Sequence, residues 1–367
     1  MTNSYHPLRS LEQGNWLKLI CGASFQHLPS VRNLTLAYAL SGVDCIDVSA
    51  DGAVIAAAQA ALQIAASIQS TAQNWGYELK HLPWLMVSLN VSEDPHFRKA
   101  AFDPVACPPE CPRPCEQVCP AQAIVFGRWE DNFSGVLEPN CYGCGRCLPI
   151  CPSQLIKTNS YVVQKEVLAP LVLSQGVDAV EIHTQVGQYS EFAHLWMSVK
   201  PWVSKLKLVA ISCPDGENLI DYLWSLYELI SPLNSALIWQ TDGRPMSGDI
   251  GDGTTIAAVK LAQKVLAANL PGYVQLAGGT NSYTVPKLQK LGMLGSNLGG
   301  SRISGVAYGS YARVLLSPVL EQLEQLQINQ TDEVSIVGLE QEPQLLWEAV
   351  NLARSLVSQL KPTPSIC

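Results

Sequence analysis

Short runs of apolar and β-branched residues alternate along this chain with longer segments in which apolar residues recur every three or four positions. The runs predict strands at Lys18–Gly22, Val43–Ser49, Trp84–Leu89, Ala179–Thr184, Leu206–Ser212, Ala236–Gln240, Tyr273–Ala277 and Gly305–Tyr308. The longer segments predict helices at Val31–Leu40, Val54–Ile68, Val163–Leu173, Glu191–Val203, Leu219–Ile230, Thr255–Ala268 and Val285–Gly292, with Val314–Gln325 and Leu345–Leu360 after the last strand. Strand and helix in strict alternation call for a parallel sheet. Eight such units fit an α/β TIM barrel, (β/α)8, with a doubly wound open sheet as the alternative. The expected organisation is a first part of the barrel over 1–95, an insertion over 96–160 after the third strand, the rest of the barrel over 161–330, and a C-terminal helix and tail over 331–367. In a barrel that third connection leaves from the carboxyl face, so the insertion is expected beside the mouth where active sites are built.

Composition narrows the class. Of 367 residues, 47% are hydrophobic and 15% charged, which is ample for a large core. Lys and Arg number 23 against 31 Asp and Glu, for a net charge of −8, and no basic block interrupts the chain, so nucleic acid is not an expected partner. The amino terminus lacks the features of a secretory signal, which makes a cytoplasmic location the expectation. The longest uncharged stretch, Gly52–Tyr77, contains Gln59, Gln63, Gln69, Gln73 and Asn74 and is rich in alanine; it predicts a packed helix and no transmembrane segment.

Twelve cysteines in such a chain point to metal before disulfides. Eight of them fall between Cys107 and Cys151. Cys141, Cys144, Cys147 and Cys151 followed by Pro152 have the C-x2-C-x2-C-x3-C-P spacing of a bacterial ferredoxin, with Gly143 and Gly145 letting the backbone approach inorganic sulfide. Cys107, Cys111, Cys115 and Cys119 followed by Pro120 depart from it with three residues between each pair, and Pro108, Pro109, Pro112 and Pro114 exclude a single helix there. The groups repeat: Cys119-Pro-Ala-Gln-Ala-Ile124 matches Cys151-Pro-Ser-Gln-Leu-Ile156, 32 residues on. The segment thus resembles a two-cluster 4Fe-4S ferredoxin domain. That resemblance implies one cluster on Cys107, Cys111, Cys115 and Cys151 and a second on Cys119, Cys141, Cys144 and Cys147, with ligands exchanged across a pseudo-twofold axis. Structural zinc is the alternative, although zinc usually takes two separated C-x2-C pairs. Six basic and six acidic side chains balance between 96 and 160, so loaded clusters make this segment acidic.

Other candidates lie at the predicted carboxyl ends of strands. Gly278 and Gly279 after the seventh strand, with Gly309 and Ser310 after the eighth, resemble the phosphate site of flavin-binding barrels and make FMN a candidate cofactor. No lysine stands at the end of a predicted strand to contact a flavin ring. The sixth loop carries Asp242, Arg244, Asp249 and Asp252, either lining the mouth or as a solvated, mobile loop. His183 shares a strand face with Glu181 and reads foremost as a satisfied core histidine. Cys213 reads as an inert, partly buried thiol or a redox thiol, and Cys21 and Cys45 as packed within strands.

Together with the strings Gln240-Thr-Asp-Gly-Arg-Pro-Met-Ser-Gly-Asp249 and Val306-Ala-Tyr-Gly-Ser-Tyr-Ala-Arg313, these features resemble the light-dependent-period iron–sulfur family of cyanobacteria over almost the whole chain. The resemblance implies an input component of the circadian clock that reports cellular redox state, and with it light intensity, to signalling partners such as a sensor histidine kinase and core clock proteins. The expected electron donor is a ferredoxin or a quinone. The competing readings are a flavin-dependent oxidoreductase fed by the clusters and a zinc-bound scaffold; no catalytic residue is assigned.

Overall fold

A computed structural model describes residues 7–22, 28–77, 81–91, 98–119, 123–129, 132–137, 141, 147–160, 165–244, 251, 253–295, 302–329 and 338–361. Cys144, Asp249, Asp252 and Cys367 lie outside the described residues. All eight predicted strands form, as β1 (Trp16–Gly22), β2 (Cys45–Ser49), β3 (Trp84–Asn90), β4 (Ala179–His183), β5 (Leu208–Pro214), β6 (Ala236–Asp242), β7 (Tyr273–Ala277) and β8 (Gly305–Tyr308). They pair in parallel, each with its neighbour in sequence, and β8 closes on β1. The fold is an α/β TIM barrel, and the open-sheet alternative is excluded by that closure. The uncharged stretch forms the helix Gly52–Ser67, capped by Asp51, whose carboxylate accepts from the amides of Ala53 and Val54. It buries Val54, Ile55, Ala58, Ala61, Leu62 and Ala65, a spacing of three and four that turns one apolar stripe inward. Among the described residues no helix is long and apolar enough to cross a membrane. The last helix, Pro343–Leu360, belongs to the barrel wall: Arg354 donates to Ser41 O at 2.9 Å, and Lys361 just after it reaches Asp44 at 2.6 Å.

Two stretches of the barrel share one design. Gly42-Val43-Asp44-Cys45-Ile46-Asp47-Val48-Ser49 and Gly176-Val177-Asp178-Ala179-Val180-Glu181-Ile182-His183 match position for position. Each opens on a left-handed glycine that ends the preceding segment, φ +95° at Gly42 and +78° at Gly176. The first acid of each then accepts the amide of the preceding strand, Leu17 N to Asp44 Oδ2 at 2.8 Å and Leu85 N to Asp178 Oδ2 at 3.0 Å. Strand alternation sends the second acid, Asp47 or Glu181, into the barrel.

Those acids set the interior. At its amino end the barrel is filled by Trp16, Cys45, Trp84, Met86, Ala179, Leu208, Ala210 and Ile238. One layer further along, seven strands contribute polar side chains to a single network. Trp16 Nε1 donates to Gln275 Oε1 at 2.6 Å, Gln275 Nε2 to Gln240 Oε1 at 2.6 Å, and Gln240 Nε2 to Glu181 Oε1 at 2.5 Å and Ser212 Oγ at 3.1 Å. Glu181 is bonded to Lys18, whose ammonium also lies 3.4 Å from Asp47, and Asp47 accepts from Ser88 Oγ at 2.7 Å. Lys18 and Glu181 are wholly buried. Burial opposes the Lys18 charge, but Glu181 and Asp47 outweigh it and hold the ammonium above its ordinary range; burial likewise opposes the Glu181 charge, and Lys18 holds that carboxylate below its own. Asp47 is pushed up to about 6, chiefly by burial. Lys18 and Glu181 are therefore the most firmly ionised pair, and Asp47 is the weaker acid beside them.

The second unit lies within Ser92–Gln164. Arg98–Ala101 pairs antiparallel with Lys157–Ser160 across its neck. Inside it, Ile124–Val125 pairs with Gly135–Val136, and two short helices, Pro114–Val118 and Cys147–Ile150, carry Cys115 and Cys147 at equivalent places of the repeat.

Replacing Lys18 with Met keeps the volume but strands two carboxylates in the barrel. We expect about 3–5 kcal/mol of lost stability in urea titrations followed by far-ultraviolet dichroism; an unchanged midpoint would mean that Lys18 does not hold the barrel together.

Candidate metal centre and barrel mouth

Five of the described cysteines of the second unit gather in one apolar core. Cys115 and Cys147 are buried there with Ala100, Ile124 and Ile156, and Cys119, Cys141 and Cys151 pack against them beside Phe102, Phe126, Val136 and Leu148. Ile124 and Ile156, the closing residues of the sequence repeat, occupy the same core. The repeat also governs the polar surroundings of sulfur. Ala123 N donates to Cys119 Sγ at 3.2 Å, and its counterpart Leu155 donates to Cys151 together with the amides of Ile156, Ser153 and Gln154. Burial opposes the Cys151 thiolate, yet these four amides outweigh it and hold the thiol below its ordinary value. Ala100 N reaches Cys141 Sγ at 3.4 Å.

Cys151 packs among cysteines of both groups and acts electrostatically on Cys107 and Cys115 of the first. Burial pushes the Cys107 and Cys115 thiols up, Cys107 and Cys111 share a hydrogen bond, and the charge of Cys151 raises both Cys107 and Cys115 further. Arg113, left-handed at φ 52° ahead of the helix Pro114–Val118, stacks 4.3 Å over the Phe126 ring and counters the charge at Cys107. All these described thiols are free. Thiolates aimed into an apolar core, with amide donors on the sulfurs and a cation at the edge, suit an iron–sulfur cluster, whose potential depends on those amides and on solvent exclusion.

In the barrel, β6 runs past Gln240 to Asp242, so Asp242 belongs to the sheet rather than to a mobile loop. The strand continues because both neighbours pair with it, Pro214 on one side and Ala277 on the other. Gly243 then lets the helix Thr255–Ala267 come close, where a Cβ would lie 2.3 Å from Ala258. Arg244 is exposed. Gly278, at φ +66°, faces the Asp242 carboxylate, and Gly279 faces Thr254, whose Oγ1 donates to Gly279 O at 2.7 Å. Gly309 lies beside Ile20 and Arg313; Ser310 accepts from Arg313, which also binds the carbonyls of Ile20 and Cys21. His183 Nε2 lies 3.2 Å from Glu181 Oε1 but is not aligned as a hydrogen bond, and the ring is 25% exposed, so His183 is not a fully satisfied core histidine. Burial pushes the Cys21 and Cys213 thiols up to about 12 and Cys45 well above its usual range, which makes all three unreactive. Sequence reasoning missed Lys18 and Asp47; the repeated Gly-Val-Asp octad, with an acid at the same place in two strands, is the signal that points to Asp47.

A closed βα barrel whose third connection carries cysteine thiolates in an amide-lined apolar core is an iron–sulfur barrel protein. A family model described as the LdpA Fe-S cluster-binding domain matches residues 107–162, and one described as the light dependent period A C-terminal domain matches residues 171–359. The chain is also 50% identical over 356 residues to "Light dependent period A" of Synechococcus elongatus, covering 97% of this chain and 94% of that protein. This chain belongs to the light dependent period A family.

Asp242 Oδ1 is enclosed and has no hydrogen-bond partner among the described residues, and burial pushes its carboxyl from 3.8 up to about 6. The folded protein therefore binds this proton more tightly than the unfolded chain does. Ionised Asp242 costs stability above about pH 6, and the cost disappears as pH falls through 3.8. Asp242→Asn is expected to be more stable than wild type by roughly 2–3 kcal/mol at neutral pH and equal to it in strong acid, by thermal melts across pH. A constant difference at every pH would refute the buried, unpaired carboxylate.

Proposed function

We propose that the insertion holds two 4Fe-4S clusters, one on Cys107, Cys111, Cys115 and Cys151 and one on Cys119, Cys141, Cys144 and Cys147, and that the protein is a redox sensor. The observation that carries this reading is the position of Cys151, which follows the second cysteine group in sequence but acts electrostatically on Cys107 and Cys115. The paired amide cradles at Cys119 and Cys151 support the same pseudo-twofold ligation. When bound, such clusters take up and release single electrons. The chain's own residues tune that exchange. The amides around Cys151 stabilise negative charge on its sulfur, Arg113 offsets charge near Cys107, and the apolar shell of Phe102, Phe126, Ile124 and Ile156 excludes water.

With its side-chain charges balanced, the insertion changes net charge by a full unit with each electron, and that change is available to a partner's surface. A relative named for a light-dependent period supports placing the signal in light input to the circadian clock. The partners are then clock-input proteins, a sensor histidine kinase and core clock proteins among them, with a ferredoxin or quinone as donor, in the cytoplasm.

Protein purified without oxygen should carry about eight iron and eight acid-labile sulfide per chain. Cys119→Ala should remove the spectroscopic signal of the cluster on Cys141, Cys144 and Cys147, and Cys151→Ala that of the other. Zinc in place of iron, or each substitution abolishing its own group's cluster, would overturn the assignment. Stoichiometric flavin would move the reading to the oxidoreductase.

A further inference from the structure

The polar network inside the barrel is followed, toward the carboxyl end, by a layer of a different kind. Alternation along the even strands places Ser49 above Asp47, His183 above Glu181 and Asp242 above Gln240. In the repeated octads Ser49 and His183 are the same position, so one sequence design delivers both. In the layer below, the side chains bond to one another. In this layer they do not. Ser49 is wholly buried and its Oγ has no hydrogen-bond partner among the described residues, and neither has the enclosed Asp242 Oδ1, while His183 Nε2 has only the unaligned contact with Glu181 Oε1 at 3.2 Å. Two enclosed polar atoms without partners, on two strands at one end of a barrel, are costly unless something meets them.

The geometry points to a small-molecule site at the carboxyl end of the barrel, formed by Ser49, His183 and Asp242 over the Lys18–Glu181–Asp47 floor, that takes a small organic cation donating hydrogen bonds, of the amine or guanidine type. The sign follows from the charges. Three carboxylates, Asp47, Glu181 and Asp242, face one ammonium, and that ammonium is engaged by two of them. Burial and Glu181 raise the Asp242 carboxyl, and the opposing influence of His183 and Lys18 does not offset them. The hydrogen-bonding groups agree. An ionised Asp242 only accepts and Ser49 can accept, so a donor-rich ligand satisfies both. Exposure rises from zero at Ser49 to 25% at His183, and Asp242 is partly exposed as well, so the layer opens away from Ser49. This site is independent of how the cysteines share their clusters.

The test uses the full-length, cofactor-loaded protein, isotope-labelled at histidine Cε1, with methylguanidinium chloride as probe and tetramethylammonium chloride as a control of equal charge without donors. The His183 resonance, identified by its loss in His183→Gln, should shift saturably with methylguanidinium and stay in place with tetramethylammonium. Asp242→Asn should weaken the response about tenfold or more, since it removes a charged acceptor, and Ser49→Ala should weaken it less. A silent His183 resonance throughout the millimolar range would mean that the layer holds only water. Equal shifts with both cations, or an unchanged response in Asp242→Asn, would mean a nonspecific charge effect. Each of these results overturns the proposal.

Discussion

A lysine ammonium on the axis of a closed barrel is tolerable only if carboxylates are brought to it from other strands, and the architecture of this protein is arranged around that requirement. Lys18 enters from β1, Asp47 from β2 and Glu181 from β4. The acids arrive at the right height because the octads of β2 and β4 begin with an aspartate that grips the amide of the strand before it. A slip of one residue in either strand would turn its acid outward and leave the ammonium with one partner fewer. Charge thus fixes the register that apolar packing at the amino end, between Trp16 and Trp84 at 5.7 Å, could accept in more than one way.

The two units divide the chemistry. The barrel keeps its thiols inert by burial, at Cys21, Cys45 and Cys213, while the insertion gathers its thiols where amides and an arginine can support negative charge. The same residue type is therefore silent in one unit and functional in the other, and the difference lies in the donors around each sulfur.

The strands were legible because each is a short apolar run bounded by turn residues, and barrel closure followed from their number and spacing. The cysteine groups were legible because thiolate spacing and the following proline reflect the ligand geometry directly. Lys18 was not, since a lysine opening the predicted run Lys18–Gly22 reads as a strand edge, and only pairing with β8 through Trp16 and Leu17 places it inside. Asp242 was hidden by Gly243, which resembles the start of a loop but serves the close approach of a helix to the sheet. In both cases a neighbour distant in sequence decides, and local pattern carries no trace of it.

The ladder between Arg98–Ala101 and Lys157–Ser160 has a consequence for how far a loss of order spreads. Four residue pairs join the ends of the insertion before the chain returns to β4, so the entropy of closing that long excursion is met inside the excursion itself. From the barrel's side, the whole cysteine-bearing segment is equivalent to a short tether. Order lost beyond this clasp need not reach β3 and β4, which keep a ladder of their own from Met86↔Ala179 to Asn90↔His183.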